Sequence, residues 1–147
     1  MRSVRFSWTR SIMFAMAAAV ALLAASSTQA ASVKEIFEKY NLVGIFAWDC
    51  TRPPTKDNLY FVNRMLDEGH VQLDEMSGPT ARDWATIFDK AVELTQDEIS
   101  ISGDRNGVRS ESVWRLQENR ARGVESTLGD KKLIAGGKFI NNGQATP

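Results

Sequence analysis

Asp104-Arg105-Asn106-Gly107 constrains the fold of this chain more than any other stretch. Asn-Gly accepts the positive φ angles of a tight primed turn, and between alternating segments it is a strong hairpin signal. Ile99 and Ile101 alternate before it, within Glu98 to Gly103. Ser110, Ser112, Trp114 and Leu116 share one face after it, within Val108 to Gln117. The same punctuation recurs along the chain. Leu59 to Leu66 and His70 to Met76 flank Asp67-Glu68-Gly69, and Ser77-Gly78-Pro79 makes the next break. Arg122, Val124, Ser126 and Leu128 continue the alternation after Glu118 to Arg120. Gly129-Asp130 then turns the chain into a last strand, Lys132 to Ile140. Upstream, Leu42 to Cys50 is an apolar and aromatic run with no room for a helix before Pro53-Pro54. It reads as the first strand, ended by two residues that lack the backbone donor a central ladder needs. Val33, Ile36, Phe37 and Tyr40 fall at helical spacing, which predicts a short helix over 33–40.

Ala81 to Leu94 supports two readings. Trp84, Ile87, Phe88, Ala91 and Val92 have helical spacing. A strand there instead completes an unbroken meander. The strand is preferred because it gives eight antiparallel strands, enough to close a small barrel around packed side chains or one small ligand. The expectation is therefore a mainly β domain, an eight-stranded antiparallel meander or small β-barrel with an N-terminal helix. The alternative is seven strands plus a helix at 81–94.

The first 30 residues read differently. Arg2, Arg5 and Arg10 precede an unbroken apolar run of 14 residues, Ile12 to Ala25, and Thr28-Gln29-Ala30 places small residues where a signal peptidase cuts. The run is short of the ~20 residues that span a bilayer. A cleaved secretory signal over 1–30 is expected, with a single domain over 31–147 in the periplasm or outside the cell, and no membrane span in the mature protein. Removing the leader takes three arginines and leaves 15 basic and 18 acidic residues. That mildly acidic balance, with no stripe of Lys and Arg, excludes a nucleic-acid partner.

Catalytic chemistry finds few components. The chain holds one Cys and one His, Cys50 and His70, too few for a structural zinc site, and no acidic loop has calcium spacing. No metal and no cofactor is expected. A nucleophilic Cys50 requires a base to hold it as thiolate, and only His70 is on offer. Three readings stand for Cys50: a disulfide to a partner outside the chain, a buried inert thiol, or a nucleophile. Asp74-Glu75 and Asp97-Glu98 read as solvated strand ends rather than acid/base pairs. Gly136-Gly137-Lys138 lacks the upstream glycine and downstream helix of a phosphate-binding loop. The aromatics carry more. Trp48, Phe61, Trp84 and Trp114 fall on different strands, where they fill a barrel or line an apolar cavity, with Arg64 or Arg115 as the polar contact at its mouth. A non-enzymatic periplasmic protein that binds a small hydrophobic ligand or another protein is the expected class. Alternatives are a small-barrel protease inhibitor acting through an N-terminal arm at Ala31 to Lys34, and a hydrolase using His70.

Gly44, Trp48-Asp49-Cys50, Pro54 and Asn58 resemble the opening of a group of small secreted alphaproteobacterial proteins, and LIAGGKF, Leu133 to Phe139, is similar to their final strand. The resemblance brings no activity with it. It implies a second cysteine shortly beyond Pro147, a disulfide partner for Cys50, and a domain that continues past the last residue. The opening is also loosely similar to the lipocalin Gly-x-Trp element, although Gly44 and Trp48 are four residues apart here.

Overall fold

The computed structural model describes residues 31–118 and 120–146; the expected leader, 1–30, lies outside them. The chain enters through helix α1, Val33–Lys39, whose start is fixed by a capping box. The Ser32 hydroxyl accepts from the Glu35 backbone N–H at 3.2 Å, and the Glu35 carboxylate accepts from the Ser32 N–H at 2.7 Å. Asn41, with φ at +51°, turns the chain out of the helix.

Nine strands follow: β1 Gly44–Ala47, β2 Tyr60–Met65, β3 Val71–Met76, β4 Arg82–Glu93, β5 Glu98–Arg105, β6 Val108–Gln117, β7 Arg120–Leu128, β8 Lys131–Ala135 and β9 Lys138–Phe139. All pair antiparallel with their sequence neighbours, in one sheet of order β1 to β9. The antiparallel meander is as the turn signals predict, and residues 82–93 form a strand, not a helix. Two expectations are corrected. The sheet has nine strands because Gly136 and Gly137, at φ +56° and +72°, form a tight turn that splits the expected last strand into β8 and β9. It is also curled into an open half-barrel rather than closed. Among the described residues β1 pairs only with β2, and β9 among the strands only with β8.

The curl has local causes. Register shifts leave Asp83 and Asp89 as extra residues on β4, Val124 on β7 and Leu133 on β8. Each such bulge bends its strand and increases its twist. Gly103 permits the sharpest approach: a Cβ there would lie 2.0 Å from the Ile87 carbonyl oxygen, beside the Asp89 bulge.

Helix α1 plugs one end of the concave face. Its N-terminal end is tied to the β2–β3 turn, where the Lys34 N–H donates to the Glu68 carbonyl at 3.2 Å. Its C-terminal end meets β4 through the Lys39–Glu93 ion pair at 2.6 Å. Phe37, fully buried, packs against Phe88 and Trp114 with ring centroids 6.1 and 6.3 Å away, and those two meet edge to face. Val71, Ile99 and Ile101 complete the sealed part of the core. No helix among the described residues is long and apolar enough to cross a membrane.

Candidate ligand-binding cavity

Beyond α1 the concave face is not filled. It encloses a cavity of about 600 Å³, within the ~300–1,000 Å³ usual for small-molecule sites. Period-two alternation explains which residues reach it. Phe46 on β1 is opposite Phe61 on β2, Phe61 is opposite Glu75 on β3, and Glu75 is opposite Trp84 on β4; all four line the cavity. One step deeper, Asn63, Leu73 and Thr86 form the next row. Ser110, Ser112 and Trp114 continue it on β6, and Ile134 and Phe139 close the far wall. The Val124 bulge changes the expected alternation on β7. Ala121 and Gly123 face the cavity before it and Ser126 after it, in place of a single face through Arg122 and Val124. The mouth lies away from the helix, where Trp48 and Ile140 line the cavity and remain 46% and 56% exposed.

Of the residues singled out from the sequence, Trp48, Phe61, Trp84 and Trp114 all line this cavity. Arg64 and Arg115 do not. Arg64 follows the inward Asn63 and so points to the outer face, where it pairs with the buried Asp74 carboxylate, which also accepts from Gln72 at 2.7 Å and Arg82 at 3.4 Å. Arg115 follows the inward Trp114 and binds the opposing Glu98 carboxylate through Nε and a terminal nitrogen at 2.9 and 2.7 Å. The same alternation separates Asp74 from Glu75, which lie on opposite faces.

The arginine in the cavity is Arg105, the last residue of β5. Its guanidinium carbon lies 3.3 Å from the centre of the Trp84 ring, a cation–π contact. Among the described residues it makes no salt bridge and no side-chain hydrogen bond. Burial pushes its pKa down, against the opposing pull of Glu75. Among the described residues Glu75 is the one acidic residue lining the cavity. Burial raises its pKa above the ordinary carboxylate value, and the Trp84 indole N–H and Arg105 pull the other way. Lys131 and Lys132 add two cations on the β8 side, the second paired with Glu125 at 3.0 Å. Asn63, 3% exposed, donates to the Leu42 carbonyl at 2.8 Å, while its Oδ1 finds no partner among the described residues.

A folded-state pKa raised above the unfolded one means that ionised Glu75 opposes folding. The penalty is absent below the unfolded pKa, near ~4.3, and grows as pH rises until it is complete above the folded pKa. Glu75→Gln, which keeps an acceptor for Trp84, is therefore expected to stabilise the protein at pH 7 and to leave it unchanged at pH 4. Urea unfolding at both values checks this, and a loss of stability at pH 7 would refute it.

Cys50 and His70 are far apart. Cys50 lies in the exposed loop before β2 and is free among the described residues. His70 follows β2, with Nδ1 2.7 Å from the Asp67 carboxylate. They sit beyond opposite ends of a six-residue strand, which spans roughly 20 Å. β1 ends at Ala47, so Cys50 lies beyond the strand that was expected to run from Leu42 to Cys50. The cysteine implied beyond Pro147 lies outside the described residues. Asp49 accepts from the Thr51 N–H and hydroxyl at 2.9 and 2.6 Å, bonds that hold its carboxyl below the ordinary range. Among the described residues no group of three or more His, Cys, Asp or Glu side chains is placed to hold a metal ion.

A curled, open, antiparallel sheet with an apolar concave face is a surface that suits a ligand or a protein segment. Compared with known proteins, the chain matches no family model, no curated protein and no solved structure.

Proposed function

We propose that this is a non-enzymatic binding protein that holds a small, largely apolar molecule in the concave cavity. The observation that carries the reading is an unfilled cavity of about 600 Å³ walled by Phe46, Trp48, Phe61, Trp84 and Trp114. Aromatic side chains bury the most apolar area per residue, and a sheet that served only as a scaffold would gain by packing them against one another. The leader pattern at residues 1–30 supports export, so the ligand would be met in the periplasm or outside the cell.

The hydrolase reading loses its support, because His70 lies outside the cavity and far from Cys50. An inhibitory N-terminal arm has little length: Val33 and Lys34 already belong to α1, and Lys34 is bonded to Glu68. Capture of a protein segment keeps one specific observation, the outer edge of β1 beside the mouth, which has no strand partner among the described residues.

The neutral dye N-phenyl-1-naphthylamine tests the reading directly. It is expected to bind the mature protein at one site, with a rise in its own emission and quenching of tryptophan fluorescence. Ala121→Trp, which fills the floor beside Trp114, is expected to abolish binding while circular dichroism stays mainly β. Absence of saturable binding to the wild-type protein would overturn the proposal.

A further inference from the structure

The cavity's charges narrow the class of ligand. Among the described residues its wall carries three cations, Arg105, Lys131 and Lys132, against one acid, Glu75. Only Lys132 among the three has an ion-pair partner within 4 Å, Glu125 on β7. Arg105 is the informative one. It is half-buried on an apolar wall with its guanidinium carbon over the Trp84 ring, and among the described residues its N–H donors have no side-chain or salt-bridge acceptor. A guanidinium removed from water without an anionic partner is costly, and its fork of donors fits a planar acid. Glu75 faces the same space from β3, but no hydrogen bond and no ion pair within 4 Å joins its carboxylate to Arg105. From this point the wall runs sideways across Glu75 to Phe61 and Phe46, in the same row as Trp84, and one step deeper to Leu73 and Trp114; among the described residues no further cation lies along it.

We infer that the cavity selects an amphipathic monoanion, a molecule with an apolar body and a single acidic head, whose head lies against the Trp84–Arg105 stack at the mouth and whose body lies along the inner aromatic wall. This rests on the proposed binding function and adds to it the sign of the ligand's charge.

A matched pair of dyes separates this inference from the reading beneath it. N-phenyl-1-naphthylamine and 8-anilinonaphthalene-1-sulfonate share their ring system, and only the second carries a sulfonate, which stays ionised across the working pH range. In the wild-type mature protein both are expected to bind, each displaced by the other. Arg105→Gln is expected to weaken the sulfonate about tenfold or more, the size of a hydrogen bond to a charged group, and the neutral dye less than about twofold. Arg105→Lys, which keeps the charge and loses the fork, is expected to fall between them and guards against a glutamine variant that folds poorly. An affinity ratio of the two dyes that is the same in the wild-type and Arg105→Lys proteins, or in the wild-type and Arg105→Gln proteins, would overturn the anion assignment while neutral-dye binding leaves the cavity reading standing. Failure of the neutral dye to bind the wild-type protein would remove both.

Discussion

Gly103→Ala is expected to cost about 3 kcal/mol or more of folding stability, at the upper end for inserting a single methyl group. The added Cβ would lie 2.0 Å from the Ile87 carbonyl oxygen, 2.6 Å from its carbon and 2.6 Å from the Phe88 Cα. Those are backbone atoms of the neighbouring strand, so no side chain can swing aside to make room. β4 must move away from β5 just where the Asp89 bulge bends it. The strain reaches the cavity, because Phe88 is opposite Gly103 and also packs on Phe37 and Trp114. Gly107→Ala makes the useful comparison. Gly107 has φ at +80° and nothing within 4 Å of the added carbon, so its cost is conformational only, about 1–2 kcal/mol. Urea unfolding of the two variants should rank Gly103→Ala well below Gly107→Ala. If the Gly103 variant lost under about 1 kcal/mol, a typical value for an arbitrary substitution, the close approach of β4 and β5 would not be limiting.

The meander was legible because turn chemistry and alternation agree over most of the chain. They agree best at Asn106-Gly107, where φ values of +55° and +80° match the primed turn expected. Bulges are what the alternation could not show. In β4 the inward residues are Trp84, Thr86, Phe88 and Ala91, with the step from 88 to 91 produced by the extra Asp89. Ile87 and Val92 are the outward neighbours, 41% and 40% exposed. Read without the bulge, those five apolar residues fall at helical spacing, which is why the segment supported two readings. Gly136-Gly137 was absorbed into a strand because two glycines carry no side-chain pattern. Their pairing with Arg122, whose guanidinium donates to the Gly137 carbonyl at 3.0 Å, is a tertiary contact.

The candidate site was legible in its apolar half only. Large aromatics on separate strands of one curled sheet converge if they share its inner face, and Phe61, Trp84 and Trp114 do so, joined by Trp48 one residue past the end of β1. The choice of arginine depended on parity. Arg64 and Arg115 sit one residue from an inward side chain, and a shift of one residue moves a strand side chain to the other face. Arg105 was hidden because it belongs to a turn signal, where a charged residue needs no explanation. Its position on the last residue of β5 places it over Trp84 instead.

The other large effect is expected at Asn58, which holds the loop behind Trp48. The side chain is 1% exposed. Its Oδ1 accepts from the Asp49 N–H at 3.0 Å, and its Nδ2 lies 3.0, 3.2 and 3.2 Å from the carbonyl oxygens of Asp49, Arg52 and Pro53. One amide thus organises the whole turn through Cys50 and the two prolines, whose own missing N–H groups leave the loop short of backbone donors. Asn58→Leu removes the donor and the acceptor together, so the Asp49 N–H and the Pro53 carbonyl lose the Asn58 amide as a partner and the loop loses its central tie, for a loss of about 3 kcal/mol. Asn58→Asp separates the two roles. Its carboxylate can still accept from Asp49 but faces three carbonyl oxygens with no proton to offer, so burial and repulsion should raise its pKa. Ionisation then penalises folding, so stability should be lowest at pH 7 and recover as pH falls through the raised pKa, once a proton restores one donor. Asn58→Leu has no group to titrate and should show no such recovery beyond that of the wild-type protein. Trp48 fluorescence gives a local readout, since a loosened loop exposes the indole more than its present 46% and shifts its emission to the red. Urea midpoints for both variants at pH 7 and pH 5 decide the matter: an aspartate variant as stable as wild type at pH 7 would show that the amide's donor side holds nothing in place.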